Sequence, residues 1–470
     1  MALGRRTPKQ PELFVATTQL VRVPGHPFYG KLNQVLSEAD FDLFVEDLCT
    51  PHYKTGGRPG IPPGVYFRMI LVGYFEGLDS QRGIAWRCAD SLALREFLGY
   101  ALTDPTPVHA SLTEIRQRLP QEVFEAVFRF VLALLEGHGL LRGQTLGIDA
   151  TTLEANAAMK SLVRRDTGED WTEYLKRLAL AEGIENPTPE DLRRLDRNRP
   201  DKKVSNQDWQ SPSDPEARIA KMKDGTTHMA YKAEHAVDLE SEAIVAACVL
   251  SADTGDASSG PETLAAAQAN LSAVHREAAV SEVVMDRGYH DNGLLSDCAE
   301  AGVRTYIAER KQATRRWTDK PPEQEAAFRA NRRRMRGERG RRLSRRRSEV
   351  VERTFAHVCE TGGGRRSWLR GLVNVAKLHL LRSAAYNLGL LLRKVWGMGK
   401  PRSWEAGWAA ALAAGAALLA ASGRPWDAFD VLTTVMGVIL ALVILGRSLE
   451  SGISLLFTGS RKSGPFLTGC

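Results

Sequence analysis

From "FYGKLNQVLSEADFDLFVEDL" to "QEVFEAVFRFVLALLEGHGLL" apolar residues recur at three- and four-residue steps, the spacing of one helical face. The interruptions "TGGRPGIPPG" and "TDPTPVHAS" break that rhythm, so residues 31–140 are predicted to form several short helices in a compact bundle. Residues 1–30, with scattered prolines and glycines, read as an extended arm. At "GQTLGIDATTLEANA" the pattern changes, and a short apolar strand, Thr145 to Ile148, is expected to end on Asp149. A polar stretch over 159–225 follows. It holds two charged helical segments and then a run rich in Asp, Pro, Ser and Lys, which reads as an exposed insertion or partly ordered loop. Strand character returns in "THMAYKAEHAVDL" and "EAIVAACVL", joined at "ESE" as a hairpin. The helix "GPETLAAAQANLSAVHREA", the strand "EVVMD", a helix from about Asp291 to Ala301 and the strand "VRTYIA" complete the series. An antiparallel hairpin beside parallel strands joined by helices is a mixed α/β arrangement.

Asp149 and Asp286 have matching contexts, each ending an apolar run and preceding a polar turn. If their strands are neighbours, the two carboxylates converge on one sheet edge and repel each other unless a cation lies between them. Oxygen ligands with no His or Cys at metal-binding spacing favour Mg²⁺ or Mn²⁺ over Zn²⁺. A third acid is available in "SRRRSEVVERTFAHV", where Val351, Phe355 and Val358 form an apolar helical stripe. Glu352 lies at the margin of that stripe, with Phe355, Ala356 and Cys359, and is assigned to the metal. Glu349 aligns instead with Arg353 and Glu360. It follows Ser348, a plausible N-cap, and is assigned to helix-end electrostatics.

With 470 residues, 43% hydrophobic and 25% charged, the chain can build a substantial core in two or more domains. The net charge of +7 is concentrated rather than spread, which favours a polyanionic partner. Cys49, Cys88, Cys248, Cys298, Cys359 and Cys470 form no C-x-x-C pair and follow no apolar signal segment. Zinc clusters and secretion are therefore not expected, and a reducing cytoplasm is.

The basic segment 309–347 contains "RKQATRR", with Arg315 and Arg316, and "RANRRRMRGERGRRLSRRR", both just before the Glu352 helix. It is either a phosphate-binding patch with salt-dependent affinity or a solvated charge run. Trp317 within it either stacks on an unpaired base or packs. Lys232 and His235 alternate with apolar neighbours and face either the site or solvent. Arg287 and Tyr289 follow the second acid and either touch DNA phosphate or orient a water, and His290 reads as a turn residue. Asp238 and Asp253 read as strand-end and loop acids, Asp238 being the fallback for Asp149.

Arg82, Arg87, Arg116 and Arg118 suit a DNA-binding helical attachment, against the alternative of a scaffold or dimerisation bundle. Behind the sheet, "GLVNVAKLHLLRSAAYNLGLLLRKVW" is expected as one long helix. The tail 399–470 carries two apolar runs, about Ala406 to Ser422 and Val431 to Gly446. Each spans about 25 Å as a helix, slightly less than a bilayer core, so packed helices are expected rather than a membrane hairpin.

"GIDATT", "VVMDRGYHDN" and "SEVVERTFAH", in this order and at these separations, resemble the catalytic acids of bacterial insertion-sequence DDE transposases. "FYGKLNQVL" through "TEIRQRL" resembles the helical N-terminal region of one branch of them, and "SDPEARIAKMKDGTTHMAYKAEHAVD" its central segment; the similarity runs from about His26 to Leu390. The resemblance implies a ribonuclease-H-like mixed sheet flanked by helices over 141–398, an all-α N-terminal domain and a helical C-terminal tail. It implies an enzyme that binds terminal inverted repeats, cuts DNA and joins the ends to target DNA, as a homodimer in the DNA complex and with no small-molecule substrate. Two divalent ions about 4 Å apart would clamp the phosphodiester, with Asp149 bridging both and Asp286 and Glu352 completing one coordination sphere each. The expected location is the bacterial cytoplasm, on the nucleoid. The extended Tyr-Arg-Glu-Lys signature of related transposases is not intact, since Ser348 and Cys359 stand where its Arg and Lys fall. Arg345, Arg346, Arg347 or Arg353 are the replacement phosphate contacts. The alternative is a catalytically silent relative that occupies transposon ends or represses.

Overall fold

A computed structural model of the chain describes residues 25–401, apart from 55, 57–59, 199–204, 223–224, 276–278, 310–316 and 319. The apolar periodicity of the N-terminal third becomes α1 (Pro27–Glu38), α2 (Phe41–Cys49), α3 (Pro63–Glu76), α4 (Gln81–Asp90), α5 (Leu92–Phe97), α6 (His109–Arg118) and α7 (Gln121–Gly137). α3 is apolar on nearly every side and is buried from Tyr66 to Phe75, as an all-round hydrophobic helix must be. α1 already starts at Pro27, inside the segment 1–30 expected as an extended arm; residues 1–24 of that segment lie outside the described residues. The first turn of α1 is capped by the His26 ring, which accepts the Phe28 N–H.

The sheet begins with β1 (Thr145–Glu154). The polar stretch after it carries β2 (Val163–Arg164), α8 (Trp171–Ala181), α9 (Pro189–Asn198), β3 (Trp209–Gln210) and β4 (Arg218–Lys221). Both expected charged helices are present. The run after them is less loop-like than its composition implies, for Trp209 is buried against Trp171 and Tyr174, and β4 pairs with the next strand. Then come β5 (Thr227–Asp238), β6 (Ile244–Ser251), α10 (Asp256–Val274), β7 (Glu282–Met285), α11 (Asn292–Glu300) and β8 (Arg304–Ile307). The chain continues through α12 (Pro322–Arg336), α13 (Glu338–Phe355), a π-helical turn over Ala356–Thr361, and α14 (Leu372–Trp396).

β5 pairs antiparallel with β1 on one side, and with β4 and then β6 on the other. β1, β7 and β8 run parallel, linked through α10 and α11, which gives the mixed sheet expected of a ribonuclease-H-like core. α14 packs on α7, α3 and β6, so one hydrophobic cluster runs from the N-terminal helices through the sheet. α13 lies across β1, and Gly147 permits its close approach. A methyl group there would sit 2.7 Å from Leu239, 3.0 Å from Val351 and 3.1 Å from Arg347. Among the described residues no helix is long and apolar enough to cross a membrane. The two apolar runs of the tail lie outside the described residues.

Candidate active site

Asp149 is the fifth residue of β1 and not its end. Parallel pairing with β7 stops at Ile148 opposite Met285, while antiparallel pairing with β5 continues to Glu154 opposite Ala230. The carboxylate thus stands where β7 has turned away. The strand persists because β5 goes on pairing with it, with Thr151 and Leu153 alternating into the buried side. Asp286 follows β7 directly, and its Oδ1 accepts the Gly288 N–H at 2.6 Å, capping the short 3₁₀ turn Arg287–Tyr289. Glu352 projects from the exposed side of α13, while Val350, Val351, Thr354 and Phe355 hold the helix against the core.

Asp149, Asp286 and Glu352 line one open cleft of about 560 Å³, together with Asp256, Lys232 and Arg347. Arg347 Nη1 sits 2.6 Å from Asp149 Oδ2, and the Ala150 N–H is 2.8 Å from Oδ1. Burial is the largest influence on the Asp149 carboxyl and pushes its pKa up. Arg347 and the Ala150 amide pull it back, and the like charge of Asp286 pushes it up again, leaving it above the ordinary value. The acids share the cleft but are not drawn to a single point. Among the described residues no three acidic, His or Cys side chains lie close enough together to hold one ion. A guanidinium occupies the Asp149 oxygen instead.

One residue of the cleft and one beneath it were not singled out in the sequence. Asp256, in the first turn of α10, lies beside Gly288, where a methyl group would meet Asp256 Oδ2 at 2.2 Å and Asp286 Oδ1 at 3.0 Å. Glu234 is fully buried beneath Lys232. Lys232 faces the cleft and not solvent; its Nζ is 2.7 Å from Asp256 Oδ1, 2.8 Å from Glu234 Oε1 and 2.8 Å from Ser259 Oγ. His235 faces neither the site nor solvent. It is buried under α13, stacked on Phe355 and bonded to Thr354 and His379.

Residues 17–118 match the family described as Transposase domain (DUF772), and residues 188–388 match the family described as Transposase DDE domain. The chain belongs to the insertion-sequence DDE transposases. Asp286 and Glu352 of the transposase lie inside the second match, and Asp149 precedes it. No curated protein and no solved structure matches the chain.

Several basic and aromatic candidates of the transposase stand differently from expectation. Tyr289 cannot reach a ligand at the surface, being fully buried with its hydroxyl donating to Glu234 at 2.9 Å. Arg346 and Arg353 converge on Glu242 in the β5–β6 turn, each at 3.0 Å, and Arg353 also pairs with Glu349. These two arginines pin α13 to the turn. Ser348 and Glu349 are not at a helix start, because α13 begins ten residues earlier, at Glu338. Trp317 packs on Phe328, with ring centroids 5.1 Å apart. Asp238 is spent on the turn, accepting the Arg142, Gly143 and Glu240 amides and the Ser241 hydroxyl. Arg287 is exposed; Arg315 and Arg316 lie outside the described residues. Arg333, Arg336, Arg341, Arg342 and Arg345 are exposed and carry no ion pair among the described residues. Arg341 and Arg345 are eleven and seven residues before Glu352, which places all three on one face of α13.

Proposed function

We propose that the transposase binds insertion-sequence ends, cuts the DNA there and transfers the strand to target DNA, with Asp149, Asp286 and Glu352 as one divalent-metal centre. The observation that carries this reading is that these three acids, from β1, the end of β7 and α13, line the same cleft. The donor set fits the metal: the three acids offer only carboxylate oxygens, suited to Mg²⁺ or Mn²⁺. When bound, a pair of such ions polarises the phosphodiester and activates water or a DNA 3′-OH.

The chain's own residues do the rest. Glu352, exposed and without a hydrogen bond among the described residues, is the acid with the most rotameric freedom to turn toward the other two. Arg347, which holds Asp149 Oδ2, would release that oxygen if a cation bound in the cleft, and its guanidinium would then be free to donate to a phosphate there. Lys232, held in place by Glu234 and Asp256, presents an ammonium donor at the cleft wall. Arg341 and Arg345 lead the duplex along α13 to Glu352. Lys232 and Arg347 thus remain DNA contacts in this reading, as do Arg287 and Arg345; two DNA ends must be held together, so the working complex is a homodimer in the bacterial cytoplasm.

A nicking assay on end-sequence DNA in Mg²⁺ tests this. Wild-type protein is expected to nick, and Asp286→Asn to bind the same DNA without nicking. Nicking by neither protein, with DNA binding retained, would favour the silent end-binding relative.

A further inference from the structure

Away from the acidic cleft, a second cavity of about 260 Å³ lies among α3, α4, α6, α7, α14 and the segment before α14. Two arginines line it. Arg382 is 6% exposed and Arg116 is 7% exposed, an unusual depth for guanidinium groups. The Arg382 side chain makes no hydrogen bond or ion pair among the described residues; only the Cys359 thiol and Asp79 favour its charge, through space. Arg116 gives its Nε to Asn374 Oδ1 at 3.3 Å, while its Nη1 is buried with no hydrogen-bond partner. Buried charges are normally paired and buried donors normally bonded, so two exceptions lining one cavity call for a ligand.

Most of the remaining wall is apolar, and one helix end adds to the positive side. The cavity includes Asp79, Ser80 and Gln81 at the start of α4, a ten-residue helix whose positive dipole end faces the space. Asp79, the one acid of the lining, is exposed at the rim, where the Trp368 indole N–H donates to its Oδ2 at 2.7 Å. Burial pushes Arg382 down only to about 10, so it stays cationic at neutral pH.

We propose that this cavity is a binding site for a small phosphate group, either free inorganic phosphate or the terminal phosphate of a nucleotide chain, held by Arg116 and Arg382. At about 30 Å³ per water, the space takes such an anion together with several waters. The site lies apart from the acids, yet communicates with them through one segment. Arg365, three residues before Trp368, donates to Thr151 Oγ1 and the Thr152 carbonyl of β1, both at 3.1 Å, just beyond Asp149.

The test is titration of the full chain with inorganic phosphate at constant ionic strength, followed by ³¹P line broadening and by calorimetry. Saturable one-to-one binding is expected. Arg382→Met and Arg116→Met should each weaken it at least tenfold, and Arg193→Gln, exposed on α9, should leave it unchanged. Asp79→Asn should tighten it, a gain that misfolding cannot mimic. A short oligonucleotide that displaces phosphate only when 5′-phosphorylated supports the site with a chain end as its source; phosphate binding without such displacement supports it with the free ion. Absence of saturable binding, or equal affinity in wild type and both Met variants, overturns the proposal.

Discussion

The Thr354 hydroxyl donates to the Val351 carbonyl at 2.8 Å, so its oxygen is left to accept from His235 Nδ1 at 2.9 Å. That fixes the tautomer: His235 Nε2 accepts, and His379 Nε2 carries the proton of the 2.8 Å bond between the rings. The relay ties β5, α13 and α14 together one turn below Glu352, and it works only while both rings are neutral. Burial holds His235 well below its usual pKa and takes His379 down to about 3. Since the unfolded histidines bind protons first, this stabilisation is complete above about pH 6.5 and is lost as pH falls toward 3, at up to about 1.4 kcal/mol per pH unit for each ring. Urea unfolding at pH 7, 6 and 5 is expected to give a shallower slope for His379→Gln than for wild type; equal slopes would refute the relay. Sequence alternation offered His235 and Lys232 the site face or solvent, yet three residues apart on one strand they point to opposite faces. It could not tell which helix covers each face, and that is why one emerged in a cleft and the other under α13.

Among the elements, α13 decides whether the third acid reaches the other two, and Gly147 decides how closely α13 can lie. A side chain at that position collides with Leu239, Val351 and Arg347. Gly147→Val is therefore expected to cost about 1–3 kcal/mol by overpacking, and to lower the nicking rate further than the reduced stability explains, because the helix carrying Arg347 and Glu352 is pushed off β1. Chemical unfolding and nicking measured below the unfolding transition separate the two effects; wild-type nicking by the folded variant would contradict this role. The core strands and their helices were legible because each apolar run had a definite period and length. Errors arose where a partner, not the local sequence, sets the element. β1 outlasts Asp149 because β5 continues beside it, and β4 exists because β5 offers an edge. α13 starts early because arginine is a good helix former, so "ERGRRLSRRR" continues a helix that the serine had suggested beginning later.

Across the whole molecule, the concentrated positive charge divides into two populations. Arg339, Arg346, Arg347 and Arg353 are paired to Glu282, Glu242, Asp149 and Glu349, and hold the fold and the cleft together. Arg341 and Arg345 are unpaired among the described residues and lie in line with Glu352. Replacing both by Gln is expected to weaken DNA binding uniformly across sequences and to flatten the salt dependence by about 0.9 for each phosphate no longer neutralised; an unchanged slope in a salt titration would remove them from the DNA path. The three acids were legible as a set because each follows an apolar run that buries its element. Asp256 was not, because a loop acid has no period to mark it. The claim on which the rest depends is that Asp149, Asp286 and Glu352 act as one unit, and groups that act as a unit fail together. The direct measurement is the Mg²⁺-dependent nicking rate of Asp149→Asn, Asp286→Asn, Glu352→Gln and the triple variant on end-sequence DNA. Each single change is expected to lower the rate at least about 10³-fold, a loss of about 4 kcal/mol, with the triple no slower than the singles. A single variant that nicks at the wild-type rate, or losses that multiply in the triple, would contradict it.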